Sequence, residues 1–108
     1  MKFTAKHLTL EVEVTPINGE ARTLSVPPLT SAQSAALMDR LVEEDRAFDK
    51  QNEGQAGKFI DRAKHYAAQL AAIYSTEANY WEDNFDSVTI ADVKRYIIDE
   101  LLGVKKKA

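Results

Sequence analysis

From Leu8 to Val14 apolar and polar residues alternate without a break. Leu8, Leu10, Val12 and Val14 share one face, and Thr9, Glu11 and Glu13 the other. That period of two predicts a half-buried β-strand. Asn18-Gly19 follows, a pair that tolerates the positive φ angles of a tight hairpin turn. Leu24 and Val26, alternating with Thr23 and Ser25, then predict a returning strand that Pro27-Pro28 ends, because proline has no N–H to give to a ladder. A two-stranded hairpin is marginal alone, so its apolar face must cover something.

Beyond Leu29 the period changes to that of a helix. Thr30, with Gln33 three residues on, has capping-box spacing, and Ala35, Met38, Leu41/Val42 and Phe48 recur on one side, predicting a helix from Ser31 to about Asp49. Two glycines among polar residues make 50–57 a loop. A second helix runs through Phe59/Ile60, Ala63, Ala67, Leu70 and Ile73/Tyr74, and its alanines favour both helix and close packing. Ser75 or Thr76 is placed to cap a short segment, 77–85. A last helix carries Ile90, Val93, Ile97 and Leu101 on one stripe and stops at Gly103, a residue suited to a left-handed cap. The expected fold class is α+β and mostly helical: an N-terminal β-hairpin over 1–28, three or four α-helices over 29–103, and a basic tail over 104–108, all in a single domain.

Composition narrows the function. The 108 residues are 44% hydrophobic and 29% charged, ordinary for a globular chain. With a formal net charge of −3 and its one basic run at Lys105–Lys107, the chain lacks the basic face that phosphate contacts demand, so no nucleic-acid partner is expected. No cysteine is present, which removes disulfides and thiolate metal sites and fits a cytosolic setting. The charged N-terminus does not read as a signal peptide, and no stretch approaches the roughly 20 apolar residues of a membrane span.

Candidate chemistry concentrates between Tyr80 and Ile97. Asp86-Ser87 ahead of a helix resembles the phosphopantetheine attachment site of acyl carrier proteins. A carrier serine, however, lies mid-domain with two helices after it, whereas Ser87 has one. A calcium loop opening at Asp83 places Phe85 third, Val88 sixth and Lys94 twelfth, all wrong ligands. Helix-start chemistry accounts for the stretch better: Thr89 and Asp92 have capping-box spacing, with Asp86 and Ser87 in a turn upstream. His7 falls on the polar strand face, and His65 has Asp61 four residues before it, a spacing typical of a solvated helix pair. No phosphate loop, nucleophile elbow or paired-carboxylate motif occurs, so no catalytic, cofactor-binding or metal residue is assigned. Tyr80, Trp81 and Phe85 form an aromatic group of the kind that serves in a core or dominates interfaces. Together with Ile98 and Leu102, whose helix face exceeds what one small core needs, they are the expected partner-binding residues.

In layout the chain resembles the tail assembly chaperones of long-tailed (siphovirus-type) bacteriophages. The β-rich start, the "PPLTSAQSAALMDRLV" entry into a helix, the alanine-rich central helix and the aromatic-acidic "YWEDNFDSVTIADVKRYIIDELLG" region carry the likeness. The resemblance implies a non-enzymatic role in the host cytoplasm: binding the tape measure protein and tail-tube subunits, and self-associating into a homo-oligomer. Many such chaperones also have a longer form made by ribosomal frameshifting, for which the lysine run after Gly103-Val104 is suitably placed. A head–tail connector or another small protein-binding adaptor is the alternative.

Overall fold

A computed structural model describes residues 1–4, 8–52 and 59–103, the side chains of 59–61 excepted. Residues 5–7 with His7, residues 53–58 with most of the expected loop 50–57, the side chains of Phe59, Ile60 and Asp61, and the expected tail 104–108 lie outside the described residues, while Lys50 and Gln51, expected in the loop, are helical. The order is β1 (Val12–Val14), β2 (Arg22–Leu24), α1 (Ser31–Gln51), α2 (Phe59–Tyr74), α3 (Tyr80–Asn84) and α4 (Ser87–Leu102), the expected hairpin and helices.

β1 and β2 pair antiparallel with Val12 opposite Leu24 and Val14 opposite Arg22. The predicted alternation holds: Leu10, Val14 and Leu24 are buried, while Glu11, Glu13 and Thr23 face solvent. The turn differs from expectation. Neither Asn18 nor Gly19 takes a positive φ, and the Gly19 amide instead closes on the Pro16 carbonyl at 3.4 Å. Glycine matters there for space, because an added Cβ would stand 3.3 Å from the Pro16 ring.

The regular strand is also shorter than the pattern implied, because Leu10 adopts φ 51°. A buried leucine in the left-handed region costs on the order of 1–3 kcal/mol and persists only where its surroundings hold it. They do. The buried Tyr74 hydroxyl donates to the Leu10 carbonyl at 2.6 Å, and the Tyr96 hydroxyl donates to the next carbonyl, Glu11, at 3.0 Å. Beyond the kink, Val26 and Leu29 amides bond to the Thr9 and Leu8 carbonyls, extending the pairing past β1. Two tyrosines from α2 and α4 thus fix the hairpin on the helices. Burial accordingly drives the Tyr74 hydroxyl well above its ordinary pKa.

α1 opens with the predicted capping box, Thr30 Oγ1 accepting from the Gln33 amide and Gln33 Oε1 from the Thr30 amide. Its inner stripe is Leu37/Met38, Leu41, Asp45 and Phe48. Ala35 and Val42, expected inside, are exposed, because the inward side runs through Ser34, Leu37/Met38, Leu41, Glu44/Asp45 and Phe48. Ser75 does not cap the next segment: at φ 55° it ends α2, and the Thr76 amide reaches back to the Ala71 carbonyl. α4 begins earlier than its apolar stripe. Asp86 is its N-cap, accepting from the Thr89 amide at 3.1 Å and the Thr89 hydroxyl at 2.6 Å. The Thr89/Asp92 capping box is therefore not formed, since Thr89 already lies inside the helix. Gly103 ends α4 at φ 70°, as expected.

The core lies where α2 and α4 meet beneath the hairpin, around Ala67, Leu70, Trp81, Ile90 and Ile97. Removing the Tyr74 hydroxyl orphans a buried carbonyl, so Tyr74→Phe should cost about 1–3 kcal/mol in urea unfolding, against roughly 0.5 kcal/mol for Tyr96→Phe at the more exposed bond. Equal costs would contradict the assignment of the Leu10 carbonyl as the strained, buried member.

Candidate functional site

The five expected partner-binding residues divide. Trp81 has no accessible surface and Phe85 is 6% exposed, so both belong to the core and neither offers area to a partner. The reason is geometric: α3 is a single short helix laid against α2, and its inward positions fall on the aromatic residues. Trp81 sits 5.0 Å from Phe85 and 6.2 Å from Tyr74 between ring centroids, with Tyr80 edge-on at 5.6 Å. Tyr80 is half-buried beneath the Arg22 guanidinium, 5.1 Å from its ring. On α4 the ends open outward: Ile98 is half-buried and Leu102 is 58% exposed. Of the five, Leu102 is the residue left free to meet another molecule, with Ile98 beside it.

A second constellation, absent from the sequence reading, joins three helices. Lys94 of α4 is almost wholly buried. Its Nζ donates to both carboxylate oxygens of Asp45 on α1, each at 3.1 Å, and to Gln69 Oε1 on α2. The ammonium also lies 4.3 Å from the centre of the Tyr66 ring. Asp45 further accepts from His65 Nε2 at 2.9 Å and Gln69 Nε2 at 3.1 Å, and Gln69 Nε2 also donates to Glu44. A carboxylate acceptor at that distance requires the proton on His65 Nε2. His65 thus has a partner in Asp45 across the helix interface, while the side chain of Asp61, the expected neighbour, lies outside the described residues.

The electrostatics follow from burial. Desolvation pulls the Lys94 ammonium below its ordinary pKa, with Asp45 opposing that shift. For Asp45 burial alone acts upward, but hydrogen bonds from His65, Lys94 and Gln69 and the lysine charge outweigh it and hold the carboxyl below its usual 3.8. Every polar atom of the Gln69 amide and the Lys94 ammonium is engaged internally. The cluster therefore acts as a latch between the three helices.

Beside the latch a groove of about 330 Å³ separates α1 from α2. Phe48 and His65 stack in it at 4.5 Å, Arg62 lies over the Phe48 ring, and Ala68 and Ala72 form its floor. Ser87 opens α4 half-buried, one position after the Asp86 cap. Among the described residues there is no group of three potential metal ligands, and no helix is long and apolar enough to cross a membrane. Comparison with known proteins finds no matching family model, no similar curated protein and no similar solved structure.

Trp81→Ala should destabilise the fold by about 3–5 kcal/mol, read by circular dichroism in urea. Trp81→Phe should cost much less, because it also removes a buried indole Nε1 that has no hydrogen-bond partner. A Trp81→Ala variant as stable as wild type would place that ring outside the core. The latch predicts an acid signature as well. Asp45 has a folded pKa below its unfolded 3.8, so its contribution is complete above 3.8 and is lost as pH falls through the folded value. Asp86, held low by its bonds to Thr89, acts with the same sign. Urea midpoints should therefore drop on acidification, and Asp45→Asn should make that drop shallower without abolishing it. An unchanged slope would exclude Asp45 as a contributor.

Proposed function

We propose that this chain is a non-enzymatic tail assembly chaperone of the long-tailed bacteriophage type, working in the host cytoplasm on the tape measure protein and tail-tube subunits. The observation that carries the reading is apolar surface left open on the helical part. Leu102 is exposed at the end of α4 beside half-buried Ile98 and Leu101, and Val88 is exposed at its start. The Ile98, Leu101 and Leu102 end suits an amphipathic helix, which docks through side chains at helical spacing. The hairpin-then-helices layout, the mild acidity and the lysine run near the C-terminus support the same reading. Among the described residues, the Asp45–Lys94–Gln69 cluster is engaged in holding helices together, which favours binding over catalysis.

The test is co-expression with the tape measure protein encoded by the same phage, from native DNA that includes the region downstream of the lysine run. The chaperone reading expects a soluble complex and a minor, longer product carrying the same N-terminal tag. A closed ring of fixed stoichiometry that ignores the tape measure protein would instead mark a head–tail connector. Leu102→Asp should lower capture of the tape measure protein by about tenfold while leaving the unfolding midpoint nearly unchanged, because an exposed side chain carries interface energy without carrying the core. Undiminished capture would remove this face from the binding surface.

A further inference from the structure

α1 is bound to the rest of the molecule in an unusual way. Its 21 residues span about 31 Å, yet Leu41 is its one wholly buried side chain. Ala63, Ala67, Leu70, Ala71 and Tyr74 of α2 are buried, as are Ile90, Val93 and Ile97 of α4. So α2 and α4 build the core and α1 lies upon it. What α1 adds is a carboxylate. The donors that receive Asp45 all stand on the opposite side: Lys94 on α4, and His65 and Gln69 on α2. Lys94 and Gln69, each 4% exposed with α1 seated on them, place the donors of this cradle on the α2–α4 pair.

We infer that the α2–α4 surface is a receptor for an acidic amphipathic helix, and that α1 occupies it in cis. The occupant it fits has α1's own pattern: leucine, an acidic residue four positions later, and an aromatic residue three beyond that, as in Leu41, Asp45 and Phe48. Charge complementarity selects it, since a helix with a neutral side chain at the Asp45 position leaves the buried lysine unpaired. A partner helix of this pattern displaces α1, and the fraction of time that α1 is seated sets the partner's apparent affinity. Use of the seat by a client helix rests on the chaperone reading. The receptor itself does not, and the experiment below involves no client.

A fluorescent, end-blocked peptide spanning Thr30–Asn52 serves as the probe, titrated by anisotropy into the full chain. The Asp45→Ala chain, whose own α1 lacks the carboxylate, should bind it at least about tenfold more tightly than wild type. A peptide carrying the Asp45→Ala change should lose that gain. Binding that is equal for the two chains, or equal for the two peptides, would overturn the inference. Should Asp45→Ala fail to fold, Leu37→Ala, which weakens the cis helix at a half-buried position, replaces it with the same expectations. Native-state hydrogen exchange on the unaltered chain gives an independent reading. α1 amides should exchange through an opening that leaves α2 and α4 protected, and exchange of all three helices only on global unfolding would also overturn it.

Discussion

An ammonium removed from water must meet a carboxylate or give up its proton, and Lys94 is removed from water where α4, α2 and α1 pack together. The placement of α1 follows from that constraint. Leu41 gives it an apolar footing, and Asp45 sets its rotation and register by placing both oxygens on Lys94. Gln69 completes the arrangement with its carbonyl toward the lysine and its amide toward Asp45 and Glu44, so no buried hydrogen-bonding group of that residue is left over. A purely apolar seam would leave α1 free to slide by a turn. A charged contact with several partners does not, and the specificity comes at the cost of desolvating two charges.

The hairpin is fastened on a similar principle with neutral groups. Leu10 turns the chain through a conformation that leucine avoids, which leaves two successive carbonyls out of the ladder, and tyrosines from two helices satisfy them. Strain at one residue is thus held by hydrogen bonds from elements more than sixty positions away in sequence. Beneath it the aromatic group of α3 fills the space between hairpin and helices, with the Ile17 amide bonded to the Asn84 carbonyl as a further tie.

Much of this was legible in the sequence. Alternation over Leu8–Val14 and the helical stripes on α2 and α4 reflect burial on one side of each element, and burial is what the structure bears out. Caps written in local side chains, at Thr30 and Gly103, were also legible. Conformation imposed from a distance was not. The kink at Leu10 is held by Tyr74, and the left-handed turn at Ser75 falls on a residue with no local signal for it. On α1 the expected Met38, Leu41 and Phe48 face inward and Ala35 and Val42 do not, and Asp45, a polar residue, occupies an inward position that periodicity reserves for an apolar one. Lys94 was the available signal, since it falls between Val93 and Ile97 on the buried stripe of its helix. A lysine there asks for an acid elsewhere, but sequence alone does not say which of seventeen carboxylates answers.

The fold therefore combines an α2–α4 core, a helix held to it by Leu41 and a charge pair, and apolar side chains left open at the ends of α4. The measurement that bears most directly on it is a double-mutant cycle between Asp45→Ala and Lys94→Met, read as unfolding free energy. The latch predicts coupling of about 1–3 kcal/mol, with the double variant more stable than the sum of the single losses allows. Additive losses would mean that the two side chains do not act on one another, and that something other than this charge pair sets the position of α1.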